Sequence, residues 1–290
     1  MVIRPISILL ALLAAPAFAR PPHNESPPAA LDVAAESVDR AGLLPADAAL
    51  LDRPEFGWRH LQTDHFVLHH DQKIFAAKVA RMGEEFYEAI SADLPELRDR
   101  IAPRRSHVFV FRDPDDWAAI VAGAPDVDSW AASFVRGNAM YLQETGTAPA
   151  DKMGTLAHEM AHLVFRRFIP VHLPLWLDEG LAEYYGEFAY RDARGLGQNR
   201  RSAFRSLKNR TPLAELLGAT DYPEDPKDVA DFYATAKHLV GFLRLRFPAE
   251  KWNAFFGSLL AGRSGADALL AAYGWADLAE LDKEFARFGR

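Results

Sequence analysis

Asp151-Lys-Met-Gly-Thr-Leu-Ala-His158-Glu159-Met-Ala-His162-Leu-Val-Phe-Arg-Arg-Phe168 is the stretch whose reading decides the fold. Its apolar positions Met153, Leu156, Ala157, Met160, Ala161, Val164, Phe165 and Phe168 follow the i, i+3, i+4, i+7 series, which predicts a helix with one buried face. At about 100° per residue the stripe covers close to half the circumference, and His158 and His162 fall together just beyond one edge of it. There they border the core and can face a cleft. The four-residue step sets the two imidazoles one turn apart, so both can reach one ion at about 2.0 Å. Glu159 is turned about 100° from His158, displaced from an ideal ligand position but able to reach a water on the ion, where a general base stands.

With 10 His in 290 residues, His-Glu-x-x-His arises by chance in about two such chains per hundred, so the motif needs a third ligand to carry weight. Catalytic zinc takes three protein ligands and keeps a fourth position for water. A turn with Pro170 and Pro174 leads into Leu175-Trp-Leu-Asp-Glu-Gly-Leu-Ala-Glu-Tyr-Tyr185, where Leu177, Leu181, Tyr184, Tyr185 and Phe188 form another stripe and predict a helix from about Pro174 to Phe188. So short a connection makes the two helices antiparallel neighbours. Glu179 and Glu183 sit one turn apart beside the stripe, so a carboxylate early in the second helix can face the His pair.

His158-Glu159-x-x-His162, then sixteen residues before Glu179 in Trp176-Leu-Asp-Glu179-Gly-Leu-Ala-Glu-Tyr, resembles the gluzincin metallopeptidases, whose members include thermolysin-like enzymes and aminopeptidase N. The resemblance covers about Asp151 to Phe188, with a slightly shorter spacing and hence a tighter turn between the helices. It implies a zincin-like fold, one Zn2+ ion held by His158, His162 and Glu179, and a peptide or protein substrate attacked by a metal-activated water with Glu159 as general base. Glu183 is then either the ligand in place of Glu179 or a carboxylate that orients a histidine, and Asp178 caps its helix or orients His158. In gluzincins a Tyr or His from a later helix hydrogen-bonds the oxyanion, a role open here to Tyr233 or His238, although Tyr233 fits a packed helix interface equally well. The same likeness suggests Asn138 to Leu142 as the edge strand that pairs with extended substrate. More loosely, the strands upstream and the helix around Phe232 to Leu243 look like peptidase MA-like domains.

Upstream, His65 to His70 and His107 to Arg112 read as strands, rich in β-branched and aromatic residues. Between them Val79, Met82, Phe86 and Ile90 mark a helix from about Lys73 to Ala92. A short helix follows Asp113-Pro114 through Val121, and Ala139 to Gln143 reads as a strand. Downstream, helices are expected over about Val229 to Phe247, Glu250 to Leu260, Asp267 to Tyr273 and Leu278 to Phe288, the last opened by a capping box of Asp277 and Glu280. Strands with one helix followed by helices make an α+β domain. His65, His69 and His70 lie in a strand and receive no role. Arg191 to Arg210 holds seven basic residues and one acid, and reads either as a flap contacting an acidic substrate or as a solvated loop.

At the N-terminus one positive charge, an apolar run from Ile6 to Ala15 and Ala17-Phe-Ala19 before Arg20 read as a signal peptide of residues 1–19. The rival, an uncleaved anchor, is short of the roughly 20 residues a span needs. Residues 20–54 are expected as a Pro/Ala-rich linker with one short helix near Leu31 to Ala41, and residues 55–290 as the folded domain: 55–188 the sheet and metal-site helices, 189–290 a helical subdomain. The expected product is exported, periplasmic or secreted, with no later run of spanning length. A net charge of −7 argues against nucleic acid, and the absence of cysteine leaves metal ligation to His, Asp and Glu. The expected function is zinc-dependent endopeptidase action. Its rivals are a non-catalytic zincin-like envelope module, which would have no use for Glu159 as a base, and a zinc amidase acting on cell-wall peptides.

Overall fold

The computed structural model describes residues 30–94, 104–124, 127, 131–144, 150–169, 171–193, 204 and 207–288. The expected signal peptide and the first part of the linker lie outside them. Six strands form one mixed sheet: β1 (Leu31–Val33), β2 (Arg59–Gln62), β3 (Phe66–His70), β4 (Ser106–Phe111), β5 (Ser133–Arg136) and β6 (Ala139–Gln143), in the order β1-β2-β3-β4-β6-β5. The β3–β4 and β4–β6 pairs are parallel and the others antiparallel. Ten α-helices are described: α1 (Pro45–Leu50), α2 (Lys73–Asp93), α3 (Pro114–Ala122), α4 (Ala150–Phe168), α5 (Leu175–Ala193), α6 (Leu213–Gly218), α7 (Pro226–Arg246), α8 (Ala249–Leu260), α9 (Gly265–Tyr273) and α10 (Leu278–Phe285). The class is α+β, as the element order indicates.

Strand alternation sends successive residues to opposite faces and so divides the core in two. Leu61, Phe66, Leu68, Val108, Val110, Met140 and Leu142 face the helices, sharing one cluster with Val79 and Phe86 of α2, Met160 and Val164 of α4, and the C-terminal helices through Trp252, Phe255, Leu269 and Leu281. Phe109, Phe111, Tyr141 and Phe134 face the other way, under Leu50, Phe56, Trp117 and Val121.

Three findings depart from the sequence reading. Leu31–Val33, expected at the start of a short helix, is instead the outer strand β1, paired with Val33 opposite His60, and residues 45–50 form α1. Residues 30–54 therefore lie on the folded body: Asp47 of α1 is buried and accepts hydrogen bonds from the Arg136 guanidinium at 2.6 Å and from the Tyr141 hydroxyl. Second, Asn138 to Leu142 is not an edge. β6 lies between β4 and β5, so among the described residues the edge at this end is β5, joined to β6 by a two-residue Gly137-Asn138 turn in which Gly137 has φ 58°. Third, Glu280 closes only half of the expected capping box: its backbone N–H donates to Asp277, but its carboxylate takes the N–H of Ala276.

Two glycines set how closely the site helices approach. A Cβ on Gly186 of α5 would stand 2.9 Å from the backbone of His158, and one on Gly180 would stand 2.8 Å from the Ala236 carbonyl oxygen of α7. α5 is thus held between α4 and α7 with backbone nearly touching on both sides.

Candidate metal centre

The two site helices run antiparallel, since Asp178 and Glu179 of α5 lie at His162 of α4 while Glu183 and Gly186 lie at His158. This brings three sequence-predicted ligands together. His158 Nε2 and His162 Nε2 are 3.1 Å apart, and Glu179 Oε2 is 3.3 Å from the first and 3.5 Å from the second. Ligands placed tetrahedrally around an ion at about 2.0–2.1 Å stand about 3.3–3.4 Å from one another, so the triangle has the dimensions of a metal site. Glu179 is buried, and its Oε2 has no hydrogen-bond partner. That oxygen faces the two Nε2 atoms without hydrogen-bond geometry, and an ion bound by both histidines would satisfy it. Among the described residues, His158, His162 and Glu179 are the group that could hold a metal ion.

The atoms turned away from the triangle have partners as well. His162 Nδ1 meets Asp178 Oδ1 at 3.2 Å, and Glu183 Oε1 lies 3.1 Å from His158 Nδ1, in contact although off the line of a hydrogen bond. A carboxylate so bonded fixes the His162 ring and its tautomer, leaving Nε2 for an ion, while Glu183 stands against the His158 ring as a neighbouring charge. Of the two roles left open for Glu183, the geometry supports orienting His158. Asp178, expected as a helix cap or on His158, instead contacts His162, because the antiparallel pairing puts the earlier residue of α5 against the later histidine of α4. Glu179 Oε1 accepts a hydrogen bond from the Tyr222 hydroxyl at 2.5 Å.

Electrostatics follow from this crowding. Burial alone would lower the His158 pKa, but Glu179 and Glu183 outweigh it and hold the imidazole up at about 9. His162 is likewise raised against burial by Asp178 and Glu179. Burial would raise the Glu179 carboxyl, and the two histidines instead hold it well below the usual carboxylate range. A metal bound there would compete with protons for the two imidazoles. Glu159 is raised, chiefly by burial, and its Oε1 is 3.5 Å from Ser133 Oγ on β5.

The triangle opens on a cavity of about 420 Å³ lined by β5 through Phe134, Val135 and Arg136, by Arg166 and Leu175, and by Tyr222 and Tyr233. Tyr233 of α7 has its ring 6.1 Å from that of His158 and stacks on Tyr222 at 6.0 Å. Burial raises the Tyr233 hydroxyl pKa, so the phenol keeps its proton. His238 does not line the cavity. Its Nδ1 meets the carbonyl of Ala234 at 2.8 Å, and its ring packs edge-on against Phe204.

Tyr222 and Ser133 escaped the sequence reading. Tyr222 sits in a connection with no period to flag it. Ser133 was findable, because Gly137-Asn138 between two short apolar runs is a hairpin signal that places Ser133–Arg136 on a strand. Of the basic stretch from Arg191, residues 194–203, 205 and 206 lie outside the described residues. Arg210 at its end is tied to Asp282 at 2.8 Å and stands over the Phe285 ring. No protein-family model matches the chain and no curated protein matches it, so the site is judged on its geometry.

Proposed function

We propose that the chain is an exported, zinc-dependent endopeptidase of the gluzincin kind, with a zincin-like domain and Glu159 as general base. The observation that carries this reading is the triangle of His158 Nε2, His162 Nε2 and Glu179 Oε2, set beside Glu159 on a cavity bordered by an edge strand. Two imidazoles and one carboxylate suit zinc and leave a fourth position that no protein ligand takes. Bound there, zinc supplies a Lewis acid that polarises a carbonyl oxygen and acidifies water.

The remaining work falls to side chains of this chain. Glu159, with its carboxyl raised by burial, takes the proton of the attacking water and passes it to the leaving amine. Ser133 steadies that carboxylate from β5. Tyr233, protonated and facing the cavity, donates to the oxyanion that forms at the attacked carbonyl. The edge strand β5 offers backbone groups to an extended peptide, the role expected of Asn138 to Leu142.

Digestion of a peptide library by the chain from Arg20, beside Glu159→Gln and with metal content measured on both, tests this. The parent should cleave internal bonds, and Glu159→Gln should keep its metal while losing about 10²- to 10⁴-fold in rate. Equal rates would remove Glu159 from its role. Metal uptake with no cleavage of any peptide would make the chain a binding module, and cleavage confined to murein fragments would make it an amidase.

A further inference from the structure

We infer that Tyr222 is a positioning residue for the third ligand: its hydroxyl holds one oxygen of Glu179 so that the carboxylate presents only the other to the metal. This rests on the metal-site reading above. The two oxygens of Glu179 have different surroundings. Oε1 accepts from the Tyr222 hydroxyl at 2.5 Å, while Oε2 is buried, has no hydrogen-bond partner and faces both Nε2 atoms at 3.3 and 3.5 Å. A carboxylate with both oxygens unspent binds an ion through one or through both. A hydrogen bond from a hydroxyl to an ionised carboxylate is among the stronger kinds; it engages Oε1 and fixes rotation about the last side-chain bond. Oε2 is then aimed at the midpoint of the histidine pair.

The donor is itself held in place. Tyr222 comes from the connection between α6 and α7 and is 43% exposed, yet its ring stacks on Tyr233 at 6.0 Å with 24° between planes and packs edge-on against Phe232 at 6.3 Å. Both partners are on α7, the helix that Gly180 admits against the ligand helix. The ring is therefore anchored by packing and the hydroxyl is delivered to Oε1. Tyr222→Phe keeps the packing and removes only the donor.

The full chain and Tyr222→Phe, stripped of metal and sharing the same far-UV spectrum, are titrated with zinc against a chromophoric chelator and with cobalt(II) for its visible absorption. Both should take one ion per chain. The variant should bind zinc about tenfold more weakly, and its cobalt spectrum should change from the intense bands of four-coordinate cobalt to weaker bands of a higher coordination number, as Glu179 engages through both oxygens. Equal affinities with superimposable cobalt spectra would overturn the inference. So would a phenolate charge-transfer band in the copper(II)-loaded parent that Tyr222→Phe removes, since Tyr222 would then be a ligand. A parent that takes up no metal is seen before any variant is compared, and contradicts the metal-site reading itself.

Discussion

Two sets of histidines in this chain have opposite surroundings and shift in opposite directions. His158 and His162 lie among carboxylates and are raised, whereas His60, His69, His70 and His107 lie in or under the sheet and are lowered, burial being the largest cause in each. His60 Nδ1 meets His69 Nδ1 at 2.8 Å and His69 Nε2 meets His107 Nδ1 at 2.9 Å, so three neutral rings form one hydrogen-bonded chain, each able to donate once and accept once. His70 is buried with neither ring nitrogen hydrogen-bonded, and a proton there would be an unpaired charge. His70 and His107 are pushed down to about 4. Below about pH 6.5 the unfolded chain protonates these side chains and the folded chain does not, so stability falls as pH drops from 6.5 toward 4. The raised pair His158 and His162 adds no slope there, since its contribution is already complete below the unfolded value. The metal-free chain should lose on the order of 2 kcal/mol or more in urea unfolding between pH 6.5 and pH 5. An unchanged midpoint would mean that these histidines are not buried neutral. His65, His69 and His70 received no catalytic role from the sequence, and the geometry brings none of them to the cavity. That His60 would meet His69 was not legible, because β2 carries no strong strand signal and only pairing across the sheet aligns the two.

At the scale of elements, the helices were the legible part. α4 and α5 follow unbroken apolar stripes; the 3.6-residue period and a short turn put His158, His162 and a carboxylate of α5 together, and the gluzincin resemblance chose Glu179 over Glu183. β1, β2 and β5 were not read, being strands of three or four residues with mixed polarity; β1 also depends on a partner distant in sequence, whereas β5 pairs across the Gly137-Asn138 turn. Because β5 was missed, the edge was assigned one strand too far in. The contact between α4 and α5 has a specific dependence on Gly186. Replacing a helical glycine by alanine gains about 1 kcal/mol of helix propensity. Here the new methyl meets the His158 backbone at 2.9 Å, and such overpacking costs about 1–3 kcal/mol. A backbone neighbour cannot swing aside, so the cost prevails: Gly186→Ala should lower stability by up to about 2 kcal/mol net and weaken zinc binding by moving His158 relative to Glu179. Unchanged stability together with unchanged zinc affinity would show that the helix pair yields at this point.

Over the whole molecule, the sheet separates two structures that meet at its β5 edge. On one face the helices build the candidate metal centre around a core that runs on without a break into α8, α9 and α10. On the other face residues 30–54 close the aromatic layer and reach the cavity rim, because buried Asp47 holds Arg136, which lines the cavity. A Pro/Ala-rich composition concealed that attachment, since a single buried aspartate leaves no pattern in a sequence. No helix among the described residues is long and apolar enough to cross a membrane. Everything proposed for the chain depends on one ion held between two helices, and native mass spectrometry of the zinc-loaded chain beside Glu179→Ala and Glu183→Ala tests that most directly. One zinc per chain is expected in the parent, one bound about tenfold more weakly in Glu183→Ala, and none in Glu179→Ala at the same zinc concentration. A Glu179→Ala chain that still carries one zinc with the affinity of the parent would contradict the account.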